Sequence, residues 1–297
     1  MTANTVYKTM TLGVDLGGTN IRAGIEADGQ IIEQKRSGFH ARGTLAETVS
    51  EFISTIGSLV VPGVSGIGVG VPSVVDVGRG IVYNVVNIPS WEKVPLRDIL
   101  EEAFGLPVYI NNDVNCFVLG EHRYGWLRGM KHAVGVSCGT GLGSGIIINH
   151  ELFNGNNCGA GEIGYLPYLD HDIEYYASGN FFTATFGLTA EEAHRLALQG
   201  NVQAQGYWQE FGRHLAEALK AVVYTYDPEA IVLGGSLSKA YEFFEASMYA
   251  ALQDFKFPES IRRLRIFQSQ NENIPLLGAA ALVKQDLNSK FQIPHSK

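Results

Sequence analysis

Near its start the chain reads Gly13-Val14-Asp15-Leu16-Gly17-Gly18-Thr19-Asn20-Ile21, and this stretch decides the fold. A related pattern about 120 residues later reads Gly135-Val136-Ser137-Cys138-Gly139-Thr140-Gly141-Leu142-Gly143-Ser144-Gly145-Ile146. Each copy has an apolar segment typical of a strand, a tight turn of small residues with a threonine, and a second apolar segment. The sequence therefore predicts two glycine hairpins, one opening each half of the chain.

The turns of both hairpins have the chemistry of a phosphate-binding loop. Glycine lacks a Cβ atom, so its backbone approaches an anion closely, and N–H groups and a threonine hydroxyl can bind phosphate oxygens. A single such hairpin is more often an ordinary turn, but the repetition favours phosphate binding. We expect phosphate contacts from Gly17, Gly18, Thr19 and Asn20 in the first turn and from Gly139, Thr140 and Gly141 in the second.

The first hairpin carries a carboxylate, Asp15, that the second hairpin lacks. A carboxylate beside a phosphate is repelled by it unless a cation lies between them. Mg²⁺ suits this position, because it keeps several waters and needs few protein ligands. We therefore expect Asp15 to hold Mg²⁺ through water.

Length and composition are typical of a globular protein of two domains with a ligand cleft between them. The chain has 297 residues, of which 45% are hydrophobic and 18% charged, with 35 glycines. Its net charge of −8 disfavours nucleic acid and acidic membranes as partners. We find no signal peptide or membrane span in the sequence, and three widely spaced cysteines suit reduced thiols, so we expect a cytoplasmic protein.

Hydrophobic periodicity predicts the order β-β-β-α-β-α-β-α for the first part of the chain, with a capping box at Thr44 and Glu47. After three strands in the first 37 residues and a helix from Thr44, we expect a strand at 67–71, a helix at 95–104 and a strand at 108–110. From residue 121 the pattern restarts, with strands at 133–137, 144–148, 230–233 and 264–268 and helices at 190–198, 202–225, 239–252 and 276–287. The residues after Asn288 are expected to form a loose tail.

Seven motifs, in order along the chain, give it a resemblance to the ROK family of bacterial sugar kinases and repressors. They are Asp15-Leu16-Gly17-Gly18-Thr19-Asn20, Gly70-Val71-Pro72, Asn87-Ile88-Pro89-Ser90-Trp91, Asn111-Asn112-Asp113-Val114-Asn115, Gly139-Thr140-Gly141-Leu142-Gly143, Gly159-Ala160-Gly161-Glu162-Ile163-Gly164, and Glu174 ahead of Tyr176-Ala177-Ser178-Gly179. The resemblance covers nearly the whole chain. It implies a two-domain α/β fold of the actin-like ATPase (ribonuclease H-like) type, with duplicated βββαβαβα units and a cleft between them.

The resemblance also implies a division of labour between the domains. Residues 1–120, completed by a C-terminal helix at 276–288, would form a sugar- and phosphate-binding domain. Residues 121–275 would form a nucleotide-binding and dimerisation domain, and the protein would be a homodimer. Small-molecule sugar and ATP would be its ligands, with Mg²⁺ as cofactor.

Asp113 is our candidate general base. It is predicted to follow a strand and begin a helix, whose N-terminus favours an ionised carboxylate that can accept a hydroxyl proton. The alternative is that Asp113 only caps that helix. The resemblance favours the catalytic role.

The resemblance implies that Asn87, Asn112, Glu162 and Glu174 hold sugar hydroxyls, together with Asp113. Each has another interpretation: Asn87 as a turn residue, Asn112 as an Asx turn, and the two glutamates as solvated helix charges. Near the end of the chain, Gly234, Gly235 and Ser236 follow a predicted strand and would lie near the adenosine of ATP, although simple turn geometry also explains them.

The chain departs from the family around residue 165. Many members have Glu-x-Gly-His followed by a cysteine cluster that binds structural zinc, whereas here Tyr165 stands at the histidine position and residues 166–173 contain no cysteine. We therefore expect no structural zinc and interpret His171 as a solvated loop residue. Tyr165 would supply a phenolic hydroxyl to the sugar, and the sugar preference can differ from glucose. Ser73 is a second departure, since the family often has glycine there.

The favoured function is that of an ATP-dependent hexose kinase, glucokinase-like, with Asp113 as base. Kinases of N-acetylmannosamine, N-acetylglucosamine, fructose or allose are the alternatives within this class. A ROK repressor would need a helix-turn-helix domain ahead of the first hairpin, where 14 residues precede Asp15. A non-catalytic sugar-binding regulator is the alternative of another class, and it would not need to keep Asp113 and both glycine turns.

Overall fold

A computed structural model describes residues 9–85 and 87–289, which form two compact units. Unit 1 comprises the described residues up to Gly125, the segment Asn154–Gly159 and the described residues from Asn271 onward. Unit 2 comprises Trp126–Phe153 and Ala160–Gln270. The domain division expected from the sequence did not place the segment Asn154–Gly159 in the first domain. The functions assigned to the two domains stay predictions.

The described residues form strands and α-helices in the following order. The strands are β1 (Met10–Leu16), β2 (Asn20–Ala27), β3 (Gln30–Gly38), β4 (Val64–Val71), β5 (Val74–Asp76), β6 (Ile81–Tyr83), β7 (Lys93–Val94), β8 (Val108–Asn112), β9 (His132–Cys138), β10 (Leu142–Ile148), β11 (Glu151–Leu152), β12 (Pro167–Tyr168), β13 (His171–Asp172), β14 (Ala230–Gly234) and β15 (Arg265–Gln268). The helices are α1 (Leu45–Gly57), α2 (Leu96–Phe104), α3 (Asp113–Tyr124), α4 (Ile173–Ala177), α5 (Gly179–Phe186), α6 (Ala190–Leu198), α7 (Val202–Tyr226), α8 (Tyr241–Leu252), α9 (Pro258–Arg263) and α10 (Ile274–Ser289).

Each unit is built on a five-stranded mixed sheet that begins with one of the predicted glycine hairpins. In unit 1 the order is β3-β2-β1-β4-β8, with β1 antiparallel to β2 and parallel to β4. In unit 2 the order is β11-β10-β9-β14-β15, with β9 antiparallel to β10 and parallel to β14. The duplicated hairpin thus occupies the same position in both sheets.

Register places the ends of the parallel strands of unit 1 side by side. Asp15 pairs with Gly70, and Gly70 pairs in turn with Asn111. The carboxyl ends of parallel strands meet at one edge of a sheet, where open α/β sheets bind ligands. The first glycine turn, the residues after Gly70 and the start of α3 therefore share one edge of this sheet.

Local signals fix the helix ends. Thr44 and Glu47 form the predicted capping box of α1, in which each side chain bonds the backbone of the other residue. Helix α2 ends at Gly105, whose φ of 64° is the left-handed conformation that favours glycine. The helix expected over 239–252 begins instead as a 3₁₀ turn at Ser236–Ala240, before α8.

Helix α10 packs directly on the sheet of unit 1. A Cβ atom at Gly68 would come within 1.8 Å of the carbonyl oxygen of Ala279, and one at Gly13 within 2.0 Å of that of Leu276. On the other side, a Cβ atom at Gly278 would lie 1.7 Å from the carbonyl oxygen of Cys116 in α3. Glycine and alanine along α10, and glycine at positions 13 and 68, therefore allow close backbone contact.

The sequence did not predict the three-stranded sheet β5-β6-β7 or the short helices α4, α5 and α9. The loose tail expected after Asn288 lies outside the described residues, apart from Ser289 at the end of α10. Across the described part of the chain, every helix is too short or too polar to span a bilayer.

Candidate functional site

The first glycine turn lies between β1 and β2 and is closed by hydrogen bonds of its own. The Gly17 N–H donates to the Asn20 carbonyl at 2.9 Å, and Asn20 Nδ2 donates to Thr19 Oγ1 at 2.9 Å. A Cβ atom on Gly18 would lie 2.7 Å from Cβ of Asn87. The structure thus brings Asn87, predicted to bind sugar, against a turn predicted to bind phosphate, and glycine at position 18 makes this approach feasible.

Asp15 forms an ion pair that the sequence did not reveal. Its Oδ2 atom accepts hydrogen bonds from Arg22 Nη2 at 2.6 Å and Nε at 3.0 Å. Arg22 Nη1 also donates to the Glu272 carbonyl at 3.1 Å. A protein cation therefore already faces the carboxylate, whereas our argument from the sequence considered only Mg²⁺. The hairpin pattern could have indicated this ion pair, because antiparallel register about the turn sets Arg22 opposite Asp15.

Asn112, and not Asp113, caps α3. Asn112 Oδ1 accepts hydrogen bonds from Val114 N at 2.9 Å and Asn115 N at 3.2 Å, as an N-cap side chain does. Asp113 is the first residue of the helix, and its Oδ1 atom lies 2.9 Å from Val114 N. The turn interpretation of Asn112 is thus correct for its oxygen, and its Nδ2 atom points toward the Ser73 carbonyl at 3.4 Å.

Gly70 allows α3 to begin close to β4. A Cβ atom there would lie 3.4 Å from Cα of Asp113 and 3.2 Å from Sγ of Cys116. The hydroxyl of Ser73, two residues after the end of β4, donates a hydrogen bond to the Tyr83 carbonyl. The motif that begins at Gly70 therefore lies close against the segment that carries Asp113.

The second glycine turn lies beside two other backbone segments of unit 2, those of Gly179 and of Gly235-Ser236. The Gly139 N–H donates to the Gly141 carbonyl at 2.9 Å, and the Gly179 N–H donates to the Gly139 carbonyl at 2.8 Å. Gly235, with φ of 81°, leaves no room for a Cβ atom, which would fall 2.1 Å from the Cys138 carbonyl oxygen. The segments predicted to bind phosphate and adenosine are therefore neighbours, with Ser236 Oγ 3.7 Å from the Cβ position of Gly139.

Glu174 braces this turn. Its Oε2 atom accepts a hydrogen bond from Leu142 N at 2.8 Å and lies 2.7 Å from the Cβ position of Gly141. Glu174 stands in the first turn of α4, which is capped by Asp172 through a 2.8 Å bond to Tyr175 N. The residue is therefore more than a solvated helix charge.

Glu162, Tyr165 and Glu174 lie within electrostatic range of one another in unit 2. Desolvation by neighbouring protein atoms and then the charge of Glu174 raise the pKa of the Glu162 carboxyl, although the residue is exposed. The pKa of Tyr165 is raised chiefly by Glu174, then by burial and the charge of Glu162, although its side chain is 65% exposed. The structure thus brings together three of the residues that were predicted to hold sugar hydroxyls.

The sequence profile of the ROK family matches residues 11–286. The chain belongs to the ROK family. It is 28% identical over 316 residues to the glucokinase of Thermotoga maritima, an alignment that covers 94% of this chain and 98% of that protein. It is also 27% identical over 257 residues to the xylose repressor of Caldicellulosiruptor bescii, covering 76% of this chain and 64% of the repressor.

Among solved structures, the chain is similar to the ROK family glucokinase of Streptomyces griseus in complex with glucose and AMPPNP. The two are 27% identical, with a TM-score of 0.80, and the match covers 93% of this chain and 99% of that one. The α/β fold of the actin-like ATPase type, predicted from the sequence, is thereby confirmed for this ROK protein.

Aromatic contacts organise the segment in which the ROK protein lacks the cysteine cluster. His171 lies in the short strand β13, not in a loop as expected, and stacks on Tyr175 with ring centroids 3.9 Å apart. Tyr168 Oη lies 3.0 Å from His214 Nδ1, and Tyr176 donates a hydrogen bond to Asp170. No three His, Cys, Asp or Glu side chains of residues 9–85 and 87–289 gather as a metal site would require. The expected lack of zinc stays a prediction.

The cysteines of the ROK protein are free and buried, as expected for core thiols. Burial raises the pKa of Cys138 to about 12, so this thiol stays protonated at neutral pH.

The sequence did not reveal the contact of Gly179 with the second glycine turn, although the motif that ends at Gly179 was recognised. A glycine that contacts a turn far away in the chain looks like any other glycine in the sequence.

Proposed function

We propose that this ROK protein is an ATP-dependent sugar kinase that phosphorylates a hexose hydroxyl, with glucose as the first candidate. The observation that carries the proposal is the placement of Asp113 at the first position of α3, with the capping role taken by Asn112. The carboxylate stands at the positive end of a helix dipole, which favours its ionised form. Similarity to two glucokinases over nearly their whole length supports the same activity.

The proposed reaction is an in-line transfer. The Asp113 carboxylate accepts the proton of the sugar hydroxyl, and the hydroxyl oxygen attacks the γ-phosphorus of ATP. A bond forms between that oxygen and phosphorus, the bond from phosphorus to the β–γ bridging oxygen breaks, and ADP leaves with the electron pair. The products are the sugar phosphate, ADP and the proton on Asp113.

The two glycine turns would bind the polyphosphate through backbone N–H groups. Asp15 is proposed to hold Mg²⁺ through water by its Oδ1 atom, since Arg22 already occupies Oδ2. Mg²⁺ needs only one or two carboxylates beside substrate phosphates. When bound, Mg²⁺ supplies positive charge that neutralises phosphate oxygens. Gly234, Gly235 and Ser236, next to the second turn, are proposed to lie near the adenosine.

The sugar is proposed to contact Asn87, Asn112, Glu162, Tyr165 and Glu174, the residues that the family resemblance indicates. In the structure, Asn112 already uses its oxygen as a helix cap and Glu174 already uses Oε2 for Leu142 N. We therefore assign the Nδ2 atom of Asn112 and the Oε1 atom of Glu174 to the sugar. Kinases of N-acetylmannosamine, N-acetylglucosamine, fructose or allose use the same kinds of contact and are the alternatives.

The test is a coupled assay of ADP release with Mg-ATP across hexoses and N-acetylhexosamines. Wild-type protein should show sugar-dependent turnover, and Asp113→Asn should lower it by about a thousandfold or more while AMPPNP still binds. Asp98→Asn is the matched control, since Asp98 is also in the first turn of a helix of unit 1 but is exposed on α2. Equal turnover by wild type and Asp113→Asn would remove Asp113 from the mechanism.

The absence of turnover with every sugar of the panel would favour the second candidate, a non-catalytic sugar-binding regulator. The similarity to a xylose repressor is the observation behind this alternative. Calorimetric titration with the same sugars then separates a protein that binds sugar without turnover from one that binds none of them.

A further inference from the structure

Three asparagines and a cysteine of unit 1 form a buried hydrogen-bonded network on either side of Asp113. Asn111, Asn115 and Cys158 are only 1–3% exposed, and Asn154 is half-buried. Asn111 lies two residues before Asp113 in β8, and Asn115 lies two residues after it in α3. Asn154 and Cys158 belong to the excursion Asn154–Gly159, which joins unit 1 from a distant part of the sequence.

The side-chain oxygen of Asn111 is the centre of the network. It accepts hydrogen bonds from the backbone N–H of Asn112 at 2.8 Å, from Asn115 Nδ2 at 2.9 Å and from the Cys158 thiol at 3.1 Å. The nitrogen of the same carboxamide donates to Asn154 Oδ1 at 2.9 Å. Asn115 Nδ2 also points toward Asn154 Oδ1 at 3.4 Å.

One backbone group fixes the direction of every bond in this network. The N–H of Asn112 can only donate, so the Asn111 atom that faces it must be oxygen. The other end of that carboxamide is then nitrogen, and Asn154 must present its oxygen to it. Asn115 must likewise present nitrogen to the Asn111 oxygen. Asn154 therefore acts as an acceptor and Asn115 as a donor, and the two roles are not interchangeable.

From this geometry we propose that the network positions Asp113, and that Asn154 and Asn115 are positioning residues for the base. The proposal rests on the proposed kinase function. Asn111 holds the peptide of Asn112, Asn112 caps α3, and Asp113 is the first residue of that helix. The excursion closes the network from outside, so a change at Asn154 reaches the base through two buried carboxamides. Buried polar networks act as rigid units when they are fully satisfied. Here the Asn111 carboxamide is paired at both ends, whereas Asn115 Oδ1 is buried with no hydrogen-bond partner among the described residues.

The test compares variants that keep the hydrogen-bonding role of a network residue with variants that remove or reverse it. Asn154→Asp keeps an acceptor for both carboxamide nitrogens, and it should turn over within about threefold of wild type. Asn154→Leu removes that acceptor, and Asn115→Asp replaces a donor with an acceptor. Both should lower kcat by about ten- to a hundredfold with little change in KM for ATP, because displacement of a reacting group affects the chemical step.

A matched control removes a buried hydrogen bond elsewhere in unit 1. Trp91 Nε1 donates to Thr48 Oγ1 at 2.8 Å, and Thr48→Val deletes that bond without touching the network. Its kcat should stay near that of wild type. A loss of kcat equal to that of Asn154→Leu would show that general loosening of unit 1 explains the effect, and would overturn the positioning role.

Amide hydrogen exchange supplies a readout that needs no activity. Exchange at the start of α3, over Asn112 to Cys116, should be faster in Asn154→Leu and unchanged in Asn154→Asp and Thr48→Val. Unchanged exchange in Asn154→Leu, or equal losses of kcat in the Leu and Asp variants at position 154, would overturn the proposal. Inactive wild-type protein would count against the kinase function, while the exchange result would still decide whether the network holds α3.

A milder pair covers the case in which Asn154→Leu does not fold. Cys158→Ser keeps a hydrogen-bond donor for the Asn111 oxygen, whereas Cys158→Ala removes it. The proposal expects faster exchange at the start of α3 and lower kcat in the Ala variant than in the Ser variant. The reverse order, or equality, would contradict it.

Discussion

Glu174 accepts a hydrogen bond from the backbone N–H of Leu142 at 2.8 Å and thereby ties α4 to the second glycine turn. The turn is proposed to bind ATP phosphates and the glutamate is proposed to bind sugar. On this proposal a single carboxylate would serve two functions, one for each of its oxygen atoms.

Glu174→Gln and Glu174→Ala should separate these functions. Glutamine can present its amide oxygen to Leu142 N–H, which keeps the turn, but it then presents a donor in place of Oε1 to the sugar. We expect a raised KM for sugar alone in the Gln variant, and raised KM values for both sugar and ATP in the Ala variant. The change for ATP should be about tenfold, as for the loss of one hydrogen bond to a charged group. Identical kinetic patterns in the two variants would contradict the bracing role.

Gly18→Ala should impair the site through Asn87. The added methyl group would lie 2.7 Å from Cβ of Asn87, so the asparagine or the turn must move. We expect kcat/KM for the sugar to fall by about ten- to a hundredfold, in line with the cost of displacing positioning groups. Steady-state kinetics on the variant check this.

Gly38→Ala is the control for that experiment. Gly38 ends β3, and a Cβ atom there would meet nothing within 4 Å among the described residues. It should leave the kinetics of the protein unchanged. A Gly18→Ala variant as active as Gly38→Ala would show that the contact between Gly18 and Asn87 has no part in turnover.

The pH dependence of stability should change in Glu162→Gln. The pKa of the Glu162 carboxyl is raised above 4.5 in the folded protein, so the folded state favours the protonated form. Its contribution to stability is greatest below pH 4.5 and is lost as the pH rises through the raised pKa. The variant cannot ionise at position 162. The difference in melting temperature, variant minus wild type, should therefore be larger at pH 7 than at pH 4.

Calorimetric melting at both pH values measures that difference. Glu102→Gln, at an exposed position of α2, is the control for removing a carboxylate, and its difference from wild type should vary less with pH. A Glu162→Gln difference that is smaller at pH 7 than at pH 4 would give the wrong sign and contradict the prediction.

Thr44→Ala should destabilise unit 1 without affecting catalysis. The variant loses the side-chain acceptor of the capping box, in which Glu47 N donates to Thr44 Oγ1 at 3.3 Å. We expect the free energy of unfolding to fall by about 1 kcal/mol. Denaturant titration measures the loss, and Thr44→Ser should recover most of it. An unchanged midpoint in Thr44→Ala would mean that water replaces the cap at no cost.

Local signals in the sequence predicted much of the fold. The glycine hairpins, the capping box at Thr44 and the long helix α7 depend on residues that are close in the chain, and periodicity or spacing reveals them. The short helices α4 and α5 have five and eight residues. Isolated helices of this length are unstable, so tertiary contacts decide whether they form.

Of the candidate site, the sequence identified the residue types and their order but not their partners. It indicated Asp113 as a base and left its capping role open, which the structure resolved in favour of Asn112. It suggested a cation for Asp15 but did not identify Arg22 as one. Asn154 and Cys158 carried no signal in the sequence, because they lie 39 to 47 positions along the chain from Asn111 and Asn115, which they meet only in the folded protein.

The sequence by itself determined the family, the duplicated glycine hairpins and the order of the main strands and helices, since these depend on spacing along the chain. Only the tertiary structure decided which oxygen of Glu174 holds Leu142, which residue pairs with Asp15 and how three carboxamides orient around Asp113. Hydrogen-bond partners depend on distance and direction in space, and a linear sequence does not specify them for residues far apart in the chain.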